Sequence, residues 1–224
     1  MKFKQSDDIA VIGLGRFGQA VVEELIKLGK QITIIDTDSE RLKLYEDDAQ
    51  RLIVGDAAET KLLKAIGVEK IGTIVVAVPD NIEIIAALLE LKVKNIIARA
   101  VSRRHARVLR QIGVSAILRP EQEAGIRAAL IASNEKFILY SKNLQELGDG
   151  FVLGNSVIKN KSICNIPIRD LNLNKWEITI VLIKTQQKKI RPTADTVLHE
   201  NDTVTVIGEI ENVTAAFEWF NNQN

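Results

Sequence analysis

The sequence predicts an α/β protein, a doubly wound parallel sheet followed by a small α+β domain. Three observations point there. From residue 9 to residue 118, short apolar runs rich in Val and Ile alternate with stretches of helical periodicity. The first run, Ile9 to Ile12, leads straight into a glycine-rich turn and a helix pattern. After about Phe137 the composition shifts: strands sit closer together, and no long helix occurs until the end of the chain. Strand–helix alternation implies a parallel sheet with right-handed crossovers, whereas the later pattern fits an α+β unit.

The elements follow in order. Ile9 to Ile12 is a strand, and Phe17, Val21, Val22, Leu25 and Ile26 form the apolar stripe of a helix that stops at Gly29. Gln31 to Ile35 is the second strand and ends in Asp36. A helix reads from Ser39 to about Asp47, capped by Ser39 or Asp38. Arg51 to Val54 reads as a short buried strand, and Glu59 to Ile66 as a helix ending near Gly67. The β-branched run Thr73 to Val78 should be buried on both faces. Pro79-Asp80-Asn81 opens a helix to about Leu91, and Asn95 to Arg99 is the fifth strand. Ser102 caps a helix ending before Gly113, and Ser115 to Leu118 is the sixth strand.

Pro120 to Asn134 is a helix start by its proline and its acids Glu121 and Glu123, then apolar nearly all round. Such a helix is expected to be buried: after a complete six-strand domain it is placed to cross to a partner subunit, the competing reading being a seventh packing helix of the same domain. The boundary is therefore set at 135/136. In the second domain Gly148 to Gly150 reads as a turn, and Ile178 to Ile183, Lys188 to Arg191 and Thr203 to Gly208 as strands. Glu211 to Phe220 closes the chain as a helix.

Bulk properties narrow the class. The 224 residues are 46% hydrophobic and 26% charged, enough for a globular core in one or two domains. A net charge of +1 gives no domain-wide basic excess that would argue for nucleic acid. Cys164 is the only cysteine, so no intrachain disulfide can form, which fits a reducing cytoplasm. Residues 1–8 are polar and do not read as a signal peptide. Apolar runs such as Ile74 to Pro79 are far too short to span a bilayer, so any membrane role is expected to come through a partner.

The chemistry gathers around residues 13–18. Gly13, Gly15 and Gly18 have GxGxxG spacing: the first permits the turn off the strand, the second lets a phosphate approach the backbone, and the third lets helix and strand pack closely. Arg16 and Phe17 lie within the loop. The helix start presents unpaired N–H groups and a partial positive charge to an anion. Asp36 follows Gly18 by 18 residues, the offset of a carboxylate that holds ribose hydroxyls. Asp36 and Asp38 together disfavour a 2′-phosphate, hence NADP, although Asp38 reads equally as a helix cap. Asp56 and Ala57 end the third strand on the ligand edge, where a plain turn is the competing reading. Ala77 keeps bulk out at the end of the fourth strand. Arg99 ends the fifth and could reach a phosphate or form an interface salt bridge.

With these residues in view, the chain resembles the RCK regulators of potassium transport. The resemblance is carried by IAVIGLGRFG at 9–18, IIDTD at 34–38, VGDA at 54–57, TIVVAVPDN at 73–81, RPEQEAG at 119–125 and the late TVTVIGE strand, and it covers nearly the whole chain. It is similar in particular to the cytoplasmic regulatory subunits of Ktr/Trk systems, with TrkA-N and TrkA-C domains. The resemblance implies homodimers assembling into an octameric ring on the cytoplasmic face of an integral-membrane potassium pore subunit. It implies a ring that ATP and ADP bias differently, with NAD or NADH as the alternative ligand. It assigns Arg16 to the terminal phosphates of ATP, Asp56 and Ala57 to the adenine, and Glu121 to a divalent or monovalent cation at the dimer interface. Glu121 reads otherwise as an acid complementing its helix dipole. Some relatives bind cyclic di-AMP in the second domain; here only Arg169 matches, since Cys164, Pro167 and Lys175 depart from the pattern, which argues against that ligand.

An NAD-dependent oxidoreductase would share the fold and Asp36. It would also need a positioned acid or base, and no such constellation accompanies the loop. His105 and His199 lie in different domains with no Cys or His at metal spacing, and are expected to be structural. A transcription regulator would need a DNA-reading helix-turn-helix, and none is apparent.

Overall fold

The computed structural model describes residues 8–133, 138, 140 and 142–222. The chain forms two compact units, Met1–Glu123 and Ala124–Asn224. The boundary expected at 135/136, like residues 1–7 of the polar N-terminus, lies outside the described residues.

The first unit runs β1 (Ile9–Ile12), α1 (Arg16–Lys27), β2 (Ile32–Asp36), α2 (Ser39–Lys43), β3 (Arg51–Val54), α3 (Thr60–Ile66), β4 (Thr73–Val76), α4 (Ile82–Glu90), β5 (Ile96–Arg99), α5 (Arg103–Gln111) and β6 (Ala116–Leu118). Its six strands form one sheet in the order β3-β2-β1-β4-β5-β6, every pair parallel. The chain builds outward from β1 to β3, then returns and builds the other way from β4. β1 and β4 therefore flank the topological switch point, whose carboxyl edge is where ligands bind in open α/β sheets.

Alternation along each strand divides the core into two layers. Ala10, Ile12, Ile74, Val76, Ile96 and Ala98 meet Leu63, Ile85, Leu88 and Leu109 of α3, α4 and α5. Val11, Ile32, Ile34 and Val75 meet Val22 and Leu42 of α1 and α2 on the opposite face. Burial on both faces explains why β2 and β4 read as continuous apolar runs.

Two expectations are corrected. β3 is a sheet edge paired only with β2, and Arg51 and Val54 are exposed rather than buried. α2 stops at Lys43, after which Tyr45 and Glu46 bond back three residues to Leu42 and Lys43 in turns. Glu46, Asp47 and Asp48 would have extended the helix into its own negative pole, which disfavours carboxylates.

α6 (Pro120–Ser133) begins at the end of the first unit. Residues 123–129 are all exposed within the one chain, Ile126 by 47%, so that stretch does not pack as a further helix of the same domain. The second unit continues with β7 (Leu144–Gly148), β8 (Phe151–Val157), β9 (Thr179–Lys184), β10 (Lys189–Ile190), β11 (Thr203–Glu209) and α7 (Ile210–Asn221). These strands form an antiparallel sheet in the order β10-β9-β11-β8-β7. α7 buries Val213, Ala216, Phe217 and Phe220 against it, and Trp219 stacks on Trp176 with ring centres 5.2 Å apart. Burying these aromatic side chains drives a domain of this size. Among the described residues, no helix is long and apolar enough to cross a membrane.

Candidate functional site

The glycine turn sits where the sheet changes direction. Gly13 has φ of +94°, and a side chain there would meet Val78 Cγ1 at 2.4 Å. A Cβ on Gly18 would lie 1.9 Å from the Gly13 carbonyl oxygen, so α1 can approach β1 this closely only with glycine. Gly15 differs from both. Its φ is −70°, and a Cβ there would meet nothing within 4 Å. Of the three glycines of the turn only this one has open space above it, as a phosphate approaching the backbone would require.

α1 starts bare, as α3 also does. No side chain caps Gly15, and its first turn holds no acid. By contrast, Asp38 caps α2 by accepting from the N–H groups of Glu40 and Arg41, and Ser102 caps α5 by accepting from that of His105. The first N–H groups of α1, which no helix can satisfy internally, are left to an external acceptor. Arg16 is the first residue of α1 and is exposed beside them, while Phe17 is half-buried against the α1–α2 core.

Asp36 is 8% exposed at the end of β2, and its carboxylate accepts from the backbone N–H groups of Leu14 and Asp38. It therefore ties the glycine turn to the neighbouring strand. A carboxylate has about four acceptor positions, so capacity remains for ribose hydroxyls. Asp38 is engaged as the α2 cap and pairs with Arg41 at 3.1 Å. Asp56 accepts from Ala58 N–H at 2.9 Å in a local turn beside buried Ala57. Ala77 is buried after β4, and its Cβ lies 3.2 Å from the position a Gly18 Cβ would take. These residues all sit at the carboxyl edge of the sheet.

Across the switch point, Arg99 and Glu121 meet. The Arg99 guanidinium donates to the Glu121 carboxylate. Glu121 is held below the ordinary carboxylate range, first by its own backbone N–H at the start of α6 and then by Arg99. Among the described residues, no group of three or more His, Cys, Asp or Glu side chains could hold a metal ion. Within one chain Glu121 thus offers a cation a single, already paired carboxylate.

Asn81, which the sequence reads only as part of a helix start, holds the strand ends beside this edge. It is fully buried, and its Nδ2 donates to the carbonyls of Val78 at 2.9 Å and Arg99 at 2.8 Å, locking the ends of β4 and β5 together. Its Oδ1 and the Nε of Arg99 are buried without a hydrogen-bond partner among the described residues. The Pro79-Asp80-Asn81 string announced only a helix start, and the partner carbonyls lie 3 and 18 residues away.

In the second unit, Arg169 pairs with Asp195 at a cavity of about 440 Å³ also lined by Ile168, Asn172 and Thr193. His199 is exposed, its Nδ1 3.5 Å from the Asp202 carboxylate, and His105 accepts Val101 N–H on its Nδ1. Cys164 is half-buried, and burial pushes its thiol up, away from the range of a nucleophile.

A six-stranded parallel sheet with a bare helix N-terminus and a strand-end carboxylate at its switch point defines the Rossmann class of α/β domains, here followed by an antiparallel α+β domain. The chain matches the TrkA-N domain over residues 9–120 and the TrkA-C domain over residues 156–221, and it belongs to the TrkA-N/TrkA-C family. It is 29% identical to Ktr system potassium uptake protein C of Bacillus subtilis (strain 168), over 92% of this chain and 94% of that one. It is 28% identical to Ktr system potassium uptake protein A of the same organism, over 93% and 95%. Among solved structures, the GsuK channel bound to NAD shares the fold at a TM-score of 0.55 and 15% identity, over 99% of this chain. This chain spans 40% of that protein's length.

Proposed function

We propose that this chain is the nucleotide-binding regulatory subunit of a potassium uptake system and performs no catalysis of its own. The observation that carries the reading is the conjunction of two facts. Similarity to the Ktr proteins runs through both domains in order, and the glycine turn keeps its helix N-terminus and the space above Gly15 open.

In this reading the phosphates of an adenine nucleotide sit on the first turn of α1, the ribose on Asp36, and the adenine beside Asp56 and Ala57. ATP and ADP differ by one phosphate, and Arg16 stands at the helix start where a guanidinium can add forked donors to it. That difference is what a switch needs, because a ligand with equal affinity for two shapes shifts neither. NAD or NADH is the alternative ligand, since Asp36 would hold the same ribose. A cation at Glu121 would draw further oxygen ligands from nucleotide phosphates and a second protomer. The subunit would work as a homodimer assembled to an octameric ring, peripheral on the cytoplasmic face of the membrane, against the pore subunit.

Calorimetric titration with ATP, ADP, NAD and NADH, repeated on Arg16→Ala, tests this. The expected result is that ATP and ADP both bind and that Arg16→Ala weakens ATP about tenfold more than ADP, the scale of one charge-assisted contact. Binding of NAD or NADH alone, indifferent to Arg16, would overturn the ATP switch.

A further inference from the structure

The outer end of the parallel sheet carries a second concentration of positive charge, separate from the glycine turn. α5 reads Arg103-Arg104-His105-Ala106-Arg107-Val108-Leu109-Arg110-Gln111. Positions i, i+4 and i+7 of one helix face are Arg103, Arg107 and Arg110. Together with Arg119, just past the edge strand β6, they line a cavity of about 390 Å³ whose apolar floor includes Ala106 and Ile117. The one acid in its lining is Glu123, which already accepts the Arg119 backbone N–H at 3.3 Å. Among the described residues, none of the four guanidinium groups is in an ion pair. The placement is also costly by itself. α5 has no acid in its first turn and opens on two arginines, against its own dipole. Unrelieved like charges converging on one cavity call for an anion.

We propose that this cavity is a binding site for a small, multiply charged, phosphate-bearing anion, distinct from the nucleotide cleft. Its size falls in the range of small-ligand pockets, roughly 300–1,000 Å³. It lies three strands from β1 in the sheet order, about 14 Å at the usual strand spacing. The forked donors of several arginines suit phosphoryl oxygens, and their convergence on one cavity, rather than spread over a flat face, favours a soluble ligand over a lipid headgroup. A flat anionic membrane would engage every exposed arginine of α5, including Arg104, which does not line the cavity.

The test titrates the full chain with tripolyphosphate by calorimetry, with and without ADP, and measures its binding to vesicles containing phosphatidylglycerol. Wild type is compared with Arg107→Gln/Arg110→Gln and with the control Arg104→Gln. All three positions are exposed, and thermal melts report that each variant is folded. The expected result is tripolyphosphate binding that persists with ADP present, falls at least about tenfold in the double variant, and changes less than about twofold in the control. The site is refuted if ADP displaces tripolyphosphate, if the double variant binds as wild type does, if Arg104→Gln loses as much, or if only vesicles bind.

Discussion

The middle and one edge of the parallel sheet present positive potential by different means. Around β1 and β2 the work falls to the backbone: an uncapped helix start, an open glycine and a carboxylate that gathers the N–H groups of the turn. Around β5 and β6 the helix start is closed by Ser102, and the positive charge comes from arginine side chains. Backbone donors are fixed by the fold and cost no rotamer freedom, so they suit a site that must hold one geometry. Arginines on an exposed helix carry more charge but must be ordered by whatever they bind. The first region is therefore expected to be sensitive to every atom of the turn, and the second to charge count.

The largest effect is expected at Gly18. Gly18→Ala drives a methyl into the Gly13 carbonyl, a clash of backbone origin that no rotamer relieves. It should cost about 3 kcal/mol or more, visible as a lowered denaturation midpoint. If Gly18→Ala melts as wild type does, the close approach of α1 to β1 is not the constraint described here. Asp36→Ala comes next. It strips the acceptor from the Leu14 and Asp38 N–H groups and should cost about 1–3 kcal/mol together with nucleotide affinity. Stability lost with affinity intact would separate the carboxylate from the ribose. The smallest effect belongs to the β6 edge. Ser102→Ala removes the α5 cap and should cost about 1 kcal/mol in chemical denaturation, leaving nucleotide affinity unchanged.

Much of the first unit was legible because its strands are buried on both faces and so read as plain apolar runs between helix signals. The turn was legible because its glycines have a fixed spacing and Asp36 follows at a fixed offset. What escaped depends on groups far apart in sequence. The Arg99–Glu121 pair joins residues 22 apart, and Asn81 is defined by two carbonyls that only the folded sheet brings to it. β7 escaped because Leu144–Gly148 is an edge strand with exposed Gln145, Glu146 and Leu147, which lacks the apolar alternation of a half-buried strand. The edge position of β3 escaped too, since a short apolar run does not say how many neighbours it has.

The open space above Gly15 is where a bound phosphate would approach, and one substitution reads it directly. Gly15→Ala adds a methyl where the folded chain has nothing within 4 Å and where φ is ordinary for any residue. Its melting should match wild type to within about 0.5 kcal/mol, as for a substitution that strains nothing. Its affinity for ADP, measured by calorimetry, should fall at least about tenfold because the methyl stands where the phosphate approaches. A Gly15→Ala chain that binds ADP as tightly as wild type would contradict the placement of the nucleotide on this turn.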